Sequence, residues 1–257
     1  MLASPELPDT EYMKIRNVLR TFALASTIFA ANADAGVVIS GTRVIFPAAE
    51  REVTIKLTND GNTPVLVQTW LDDGNANTAP EKADVPFTLT PSMFRMEPGK
   101  GQSLRLIYTN EPLPTDKESL FWLNVLEVPP KAANDDRNKI QIAFRTRIKV
   151  MFRPDGLPGK ASDAPAQVKW EMVRDNGKYA LKATNPTPYV VNIGSVAIKT
   201  DGNSFDAKSG AVLPGATQLF PVDGMHTVPA SNITVTYSSL NDWGAGDTNE
   251  KTISFGK

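Results

Sequence analysis

Val53-Thr54-Ile55-Lys56-Leu57-Thr58 alternates apolar and polar residues without a break, Asp60-Gly61-Asn62 follows it, and Pro64 to Leu71 is apolar again. Period two puts Val53, Ile55 and Leu57 on one face of an extended chain, and the Asp-Gly-Asn step supplies a tight reversal, so the stretch reads as a β-hairpin. Working outward, Val37 to Phe46, Phe87 to Leu89, Ser103 to Tyr108, Leu120 to Glu127 and Ile140 to Phe152 share its character. At about 8 to 12 residues per strand and turn, residues 36 to 153 hold roughly seven strands, the count of an immunoglobulin-like sandwich. No helical 3.6-residue periodicity is sustained from residue 36 onward.

A break follows at Pro154-Asp155-Gly156-Leu157-Pro158-Gly159 and continues in small and polar residues to Pro165, which sets residues 154–165 as a linker between domains 36–153 and 166–257. Beyond it Val168, Trp170 and Met172 alternate with Lys169 and Glu171, and Asp175-Asn176-Gly177 is a hairpin turn before Tyr179 to Ala183. Tyr189 to Ile198, Gln218 to Val222, Ile233 to Tyr237 and Thr252 to Phe255 complete a second, smaller β domain. Ahead of residue 36, Lys14, Arg16 and Arg20 precede an apolar run from Phe22 to Ala31 that ends in Ala33-Asp34-Ala35. That is the layout of a secretory signal peptide, with removal of residues 1–35 expected, and the run is too short for the roughly 20 apolar residues of a membrane span.

Composition narrows the chemistry. The 257 residues carry 27 Lys and Arg against 28 Asp and Glu, so no basic excess exists to drive binding to nucleic acid or anionic membranes. There is no Cys, and His226 is the only His, which removes thiolate metal sites, cysteine nucleophiles and most His-based catalysis. Neither an enzyme nor a cofactor is expected. Asp72-Asp73-Gly74-Asn75 lacks the spaced ligands of a calcium loop, and Gly99-Lys100-Gly101-Gln102-Ser103 lacks phosphate-loop spacing, so both read as turns. Trp70, Trp122, Trp170 and Trp243 are expected as core or interdomain packing residues, and His226 in a surface loop.

Several segments resemble one family. Leu113-Pro114-Thr115-Asp116-Lys117-Glu118-Ser119-Leu120-Phe121-Trp122-Leu123-Asn124, with Val128-Pro129-Pro130 after it, closely resembles the signature of periplasmic pilus-assembly chaperones of the PapD type. Gly41 to Phe46 resembles the family's first strand, Thr90-Pro91 through Phe94 to Gly99 its middle loop, and Ile140 to Ala143 through Lys149 to Pro154 its seventh strand. Asn185-Pro186-Thr187-Pro188-Tyr189 is similar to a turn of the family's second domain. The resemblance covers residues 36 to 257. It implies an all-β fold of two immunoglobulin-like β-sandwich domains set at an angle, with a cleft between them.

It also implies a function: binding and capping pilin subunits in the periplasm by strand donation, then delivery to an outer-membrane usher. By that resemblance Arg43 and Lys149 bind the subunit's C-terminal carboxylate, for which charge-assisted bonds of about 1.5 to 3 kcal/mol each are suited. Ile140, Ile142 and Phe144, on one face of the long strand, project into the pilin, and their burial is worth roughly 5 to 9 kcal/mol before association costs. Glu118, Arg153 and Asp242 fall on the family's interdomain ion network. Arg145 and Arg147 read as a solvated strand face, and Arg105 as a surface residue. The short loop from Lys131 to Lys139 and the lack of Cys are similar to the short-loop subgroup, which points to rod-type pili. The implied partners are pilin subunits, the usher and, for the empty protein, a second copy capping the same strand, with no nucleic acid and no membrane insertion. The other reading of the composition is a secreted adhesive or carbohydrate-binding β-sandwich, with exposed Trp residues as its contacts.

Overall fold

A computed structural model describes residues 36–130, 141–226 and 232–254. Residues 1–35, expected as a secretory leader, and residues 131–140, with Ile140 among them, lie outside the described residues.

The first domain is built from β1 (Val37–Ile39), β2 (Arg43–Pro47), β3 (Glu52–Asn59), β4 (Val65–Asp72), β5 (Phe87–Thr90), β6 (Met93–Met96), β7 (Gly101–Tyr108), β8 (Ser119–Val128) and β9 (Phe144–Arg153). They form two facing sheets, ordered β1-β3-β7-β5 and β2-β9-β8-β4-β6. The alternation of β3 is read out directly, with Ile55 and Leu57 buried while Thr54, Lys56 and Thr58 are exposed. The hairpin expected over residues 53–71 does not form: β3 pairs with β1 and β7 while β4 pairs with β6 and β8 in the facing sheet, so Asp60-Gly61-Asn62 carries the chain from one sheet to the other. Phe46, Val67, Leu104, Leu106, Leu123 and Val150 close the core from both sheets at full burial. Phe46, Phe87, Tyr108 and Phe152 pack ring on ring there, with centroids between 4.8 and 6.3 Å apart.

Two strand boundaries differ from the expected ones for physical reasons. The segment Val37 to Phe46 is two strands: β1 pairs antiparallel with β3, then the chain crosses at Ser40-Gly41-Thr42 and β2 pairs parallel with β9 in the opposite sheet. The long strand expected from Ile140 begins as β9 only at Phe144, which pairs with Glu127. Continuing that ladder would set Ala143, Ile142 and Gln141 against Val128, Pro129 and Pro130, and a proline has no N–H to give. The Gln141 side-chain amide donates instead to the Pro129 carbonyl (3.2 Å) and that of Pro130. A further strand, β6, occupies part of the stretch read as a middle loop.

The second domain contains β10 (Lys169–Asp175), β11 (Lys178–Thr184), β12 (Val191–Thr200), β13 (Asn203–Ala207), β14 (Gly210–Val212), β15 (Thr217–Pro221), β16 (Asn232–Leu240) and β17 (Gly246–Ser254). One sheet runs β10-β11-β15 and the other β13-β12-β16-β17, with β14 also on β12. The turn at Asn176 (φ 48°) and Gly177 (φ 79°) has the left-handed conformation that an Asn-Gly hairpin supplies cheaply. Its core gathers Leu181, Ile198, Val212, Phe220, Ile233 and Tyr237, and it is separate from that of the first domain.

The stretch between the domains is not slack chain. A one-turn helix α1 (Ala164–Gln167) follows a 3-10 turn, Ala164 is buried in the second core, and Leu157 and Ala161 pack against it. The Tyr189 hydroxyl donates to the Gly159 carbonyl (3.1 Å), fastening the same stretch.

Candidate functional site

Arg43 and Lys149 are direct register partners in the parallel β2-β9 ladder, so their side chains leave the sheet on the same face. Both reach the second domain: Arg43 Nη1 donates to the Leu240 carbonyl (3.0 Å), and Lys149 Nζ donates to Asn192 Oδ1 (2.6 Å). Burial lowers the Lys149 pKa to about 8, helped by the charge of Arg43. Burial also lowers Arg43, partly countered by Asp242. Arg43 Nε is buried without a hydrogen-bond partner, and among the described residues neither cation forms a salt bridge. Two adjacent, half-desolvated cations that carry donors to spare form a site for an anion. Beside them a cavity of about 450 Å³ opens between the sheets, walled by Ile39, Val44, Ile55, Ile148 and Trp243.

The interdomain cleft has a second set of charges. Arg153, at the last residue of β9, donates from Nε to Glu118, and from Nη1 and Nη2 to the two Asp242 oxygens at 2.7 and 2.9 Å. Glu118 is buried, its other oxygen accepting the Val190 N–H (2.6 Å) while its own backbone N–H donates to the Pro188 carbonyl (2.8 Å). Burial pushes the Glu118 carboxyl above the usual range, held back by the Val190 N–H and Arg153. The three side chains thus bring together the start of β8, the end of β9, the turn before β12 and the loop after β16. A buried ion network of this kind fixes geometry more surely than it adds stability.

The N-terminal half of β9 is unusual in its surroundings. Its even-numbered face buries Ile148, Val150 and Phe152 in the first core, yet Phe144 on that same face is 63% exposed and Ile142 ahead of it is 57% exposed. The β2 ladder begins only at Lys149, so Phe144 to Ile148 pairs with β8 on one side and has an open edge on the other. On that face the buried apolar row ends at Ile148, exposed Thr146 interrupts it, and Phe144 and Ile142 follow as exposed apolar side chains, Phe144 on an unpaired edge of the kind that sheets normally blunt.

The opposite face of that half-strand corrects the sequence reading. Arg147 is no solvated residue: its guanidinium lies over Trp122 at 4.1 Å and pairs with buried Asp72 through Nη2–Oδ1 and through Nε–Oδ2 at 3.0 Å. Asp72 also accepts from Asn124 Nδ2 (2.7 Å) and the Gly74 N–H (2.8 Å). Burial acts to raise its pKa, but these bonds hold it below the ordinary carboxylate range. Arg145 is exposed as expected, yet its guanidinium stacks over Trp70 at 5.3 Å. The signal that could have found this brace is register: Trp122 faces Lys149 and Asn124 faces Arg147 across β8 and β9, and Asp72 faces Trp122 across β4 and β8.

Trp243 also departs from expectation. At 92% exposure it packs in no core, standing instead at the rim of the cleft beside Asp242. Trp70 and Trp170 are buried as expected. Arg105 lies on the exposed surface paired with Glu52, Asp72 closes its turn through the Gly74 N–H, and His226 is exposed.

The family described as pili and flagellar-assembly chaperone, PapD N-terminal domain, matches residues 36–158, and the pili assembly chaperone PapD, C-terminal domain, matches residues 163–251. The chain belongs to the PapD-like pilus chaperones. It is 41% identical over 220 residues to the "Probable fimbrial chaperone YadV" of Escherichia coli K12, covering 84% of this chain and 89% of that one. The crystal structure of the YadV chaperone overlays with a TM-score of 0.74 at 39% identity, covering 85% of this chain and all of that one (100%). The chaperone protein FimB/FhaD of Bordetella pertussis is 40% identical over 217 residues, or 82% of this chain and 86% of that one. A Salmonella enterica SafA pilin in complex with the SafB chaperone matches at 26% identity and a TM-score of 0.69, covering 88% of this chain and 99% of that one. The all-β, two-domain fold expected from the sequence is the fold of this PapD-like chaperone, and pilus assembly is the work of its family.

Proposed function

We propose that this chaperone caps pilin subunits in the periplasm by lending them the N-terminal half of β9, and then delivers them to an outer-membrane usher. The observation that carries the reading is that Ile142 and Phe144, in step with the face of β9 that buries Ile148, Val150 and Phe152, are exposed, Phe144 along an unpaired strand edge and Ile142 just ahead of it. A pilin groove that accepts this strand satisfies the free backbone groups and buries the side chains, each worth about 1.5 to 3 kcal/mol. Ile140 would extend the same row.

Arg43 and Lys149 act as the anchor for the pilin's terminal carboxylate. A fixed anchor sets register, because a one-residue slip turns every donated side chain away from the groove. Glu118, Arg153 and Asp242 hold the interdomain angle and so the width of the cleft. Residues 1–35 serve as the secretory leader, residues 36–153 and 166–257 as the two domains, and 154–165 as the segment joining them. The SafB relative, solved with a pilin bound, supports this arrangement.

Co-expression with the pilin of its own operon tests the reading. R43A and K149A are expected to stay folded by circular dichroism, since each removes an anchor and no core volume, and to lose pilin accumulation. Normal pilin recovery with both folded variants overturns the anchor assignment.

A further inference from the structure

Lys149 is held by a residue that the expected anchor does not include. Asn192 is the second residue of β12 and only 4% exposed, so its position is fixed by the second core rather than by solvent. Its amide oxygen accepts from Lys149 Nζ at 2.6 Å, and its Nδ2 points at Met151 Sδ at 3.5 Å. An ammonium has donors only, which dictates that the amide oxygen and not the nitrogen faces it. Two residues earlier, the Val190 N–H is bonded to Glu118, so the start of β12 is fastened to the first domain on both sides of Val191.

The charges around Lys149 explain why a neutral acceptor suits this place. Arg43 from β2 is its register partner, Arg147 lies two residues back on β9, and Trp122 from β8 presents its ring at 5.5 Å. The carboxylates in the neighbourhood are engaged elsewhere: Glu118 and Asp242 with Arg153, and Asp72 with Arg147. A carboxylate at position 192 would cancel the Lys149 charge before a client arrived. An apolar side chain would leave the ammonium unheld in a half-buried cleft.

We propose that Asn192 is a positioning residue of the carboxylate anchor: its amide oxygen keeps the Lys149 ammonium in place as a neutral stand-in for the client's carboxylate and shares or yields it when the client binds. The inference rests on the anchor reading of Arg43 and Lys149. One oxygen from a neutral amide binds an ammonium more weakly than a carboxylate does, so exchange proceeds towards the client. The bond also joins the two domains at the anchor itself, so the ammonium and the cleft wall are set together.

The experiment uses the whole secreted chain and two synthetic peptides of alternating Val and Ser, identical except that one ends in a free carboxylate and the other in an amide. Binding of both is followed from about pH 6 to about pH 10, a window that spans the lowered lysine pKa and the ordinary one. The wild type is expected to prefer the free acid and to lose part of that preference as the pH rises through about 8, where Lys149 gives up its proton while Arg43 stays charged. N192D is expected to cut the preference about tenfold and to move its inflection up by roughly one pH unit, because the new carboxylate both occupies and protonates the lysine. N192L, of similar shape but without an acceptor, is expected to move the inflection down. It carries the test if N192D does not fold. A role confined to packing would alter melting without moving either inflection. Unchanged preference and inflection in the folded variants overturn the proposal alone. A wild type that does not distinguish acid from amide overturns the anchor, and the proposal with it.

Discussion

The two halves of β9 carry the same alternation and live in different surroundings. From Lys149 to Arg153 the strand lies between β2 and β8, with Val150 and Phe152 in the core. From Phe144 to Ile148 it has β8 alone, and the face that buries Val150 leaves Phe144 in solvent. Period two tells which side chains share a face, and only the neighbouring strands tell whether that face has a partner in the same molecule. The half that lacks one is the half that we propose this PapD-like chaperone lends to a pilin.

The sharpest way to break the comparison is to put one charge in each half. V150D places an unpaired carboxylate at a fully buried position, which costs several kcal/mol and is expected to unfold the first domain. I142D is expected to melt close to the wild type, because Ile142 is exposed, and to lose pilin binding if that residue is donated as proposed. Thermal melting of both, with pilin recovery for I142D, separates the halves; a collapsed melt for I142D would return that residue to this domain's own core.

A smaller effect sharpens the account of how the free half is held. D72A removes the partner of Arg147 from a buried site and is expected to cost about 2 to 4 kcal/mol, below the full cost of breaking a buried pair because Arg147 keeps some solvent and its contact with Trp122. At about 2 to 4 °C per kcal/mol for a chain of this size, a drop of several degrees in Tm should be measured. A melt within error of the wild type would show that Trp122 alone supports the strand. The smallest effect belongs to R105A: its pair with Glu52 is exposed, so neither stability nor pilin recovery should change measurably. Lost recovery would make Arg105 a client contact.

The alternation of β3, the Asn176-Gly177 hairpin and the two-sandwich fold are legible because local alternation and turn chemistry agree with the final packing. The hairpin read over residues 53–71 is not there, because β3 and β4 each find partners in a different sheet. Less legible was anything decided by pairing between distant strands. Val37 to Phe46 reads as one strand, and nothing local announces that it changes sheets. The start of β9 was set by two prolines on another strand. Glu118, Arg153 and Asp242 were grouped on resemblance, and their side chains meet in the cleft. Asn192 is not legible in the sequence, because a lone Asn inside an apolar strand carries no motif. Arg147 reads as solvated in the sequence because its surroundings, Trp122 and Asp72, come from β8 and β4. Trp243 was misjudged because large aromatic residues are usually covered, and this one stands in an exposed loop.

Amide hydrogen exchange along β9, measured for the chaperone alone and with a bound pilin, tests strand donation most directly. In the free protein the amides of Phe144 to Ile148 that point to the open edge should exchange quickly, while those of Val150 to Phe152 are protected between β2 and β8. Pilin binding should slow the former by orders of magnitude and leave the latter unchanged. Equal protection of Phe144 to Ile148 with and without pilin would contradict the claim that this half of the strand is what the chaperone lends.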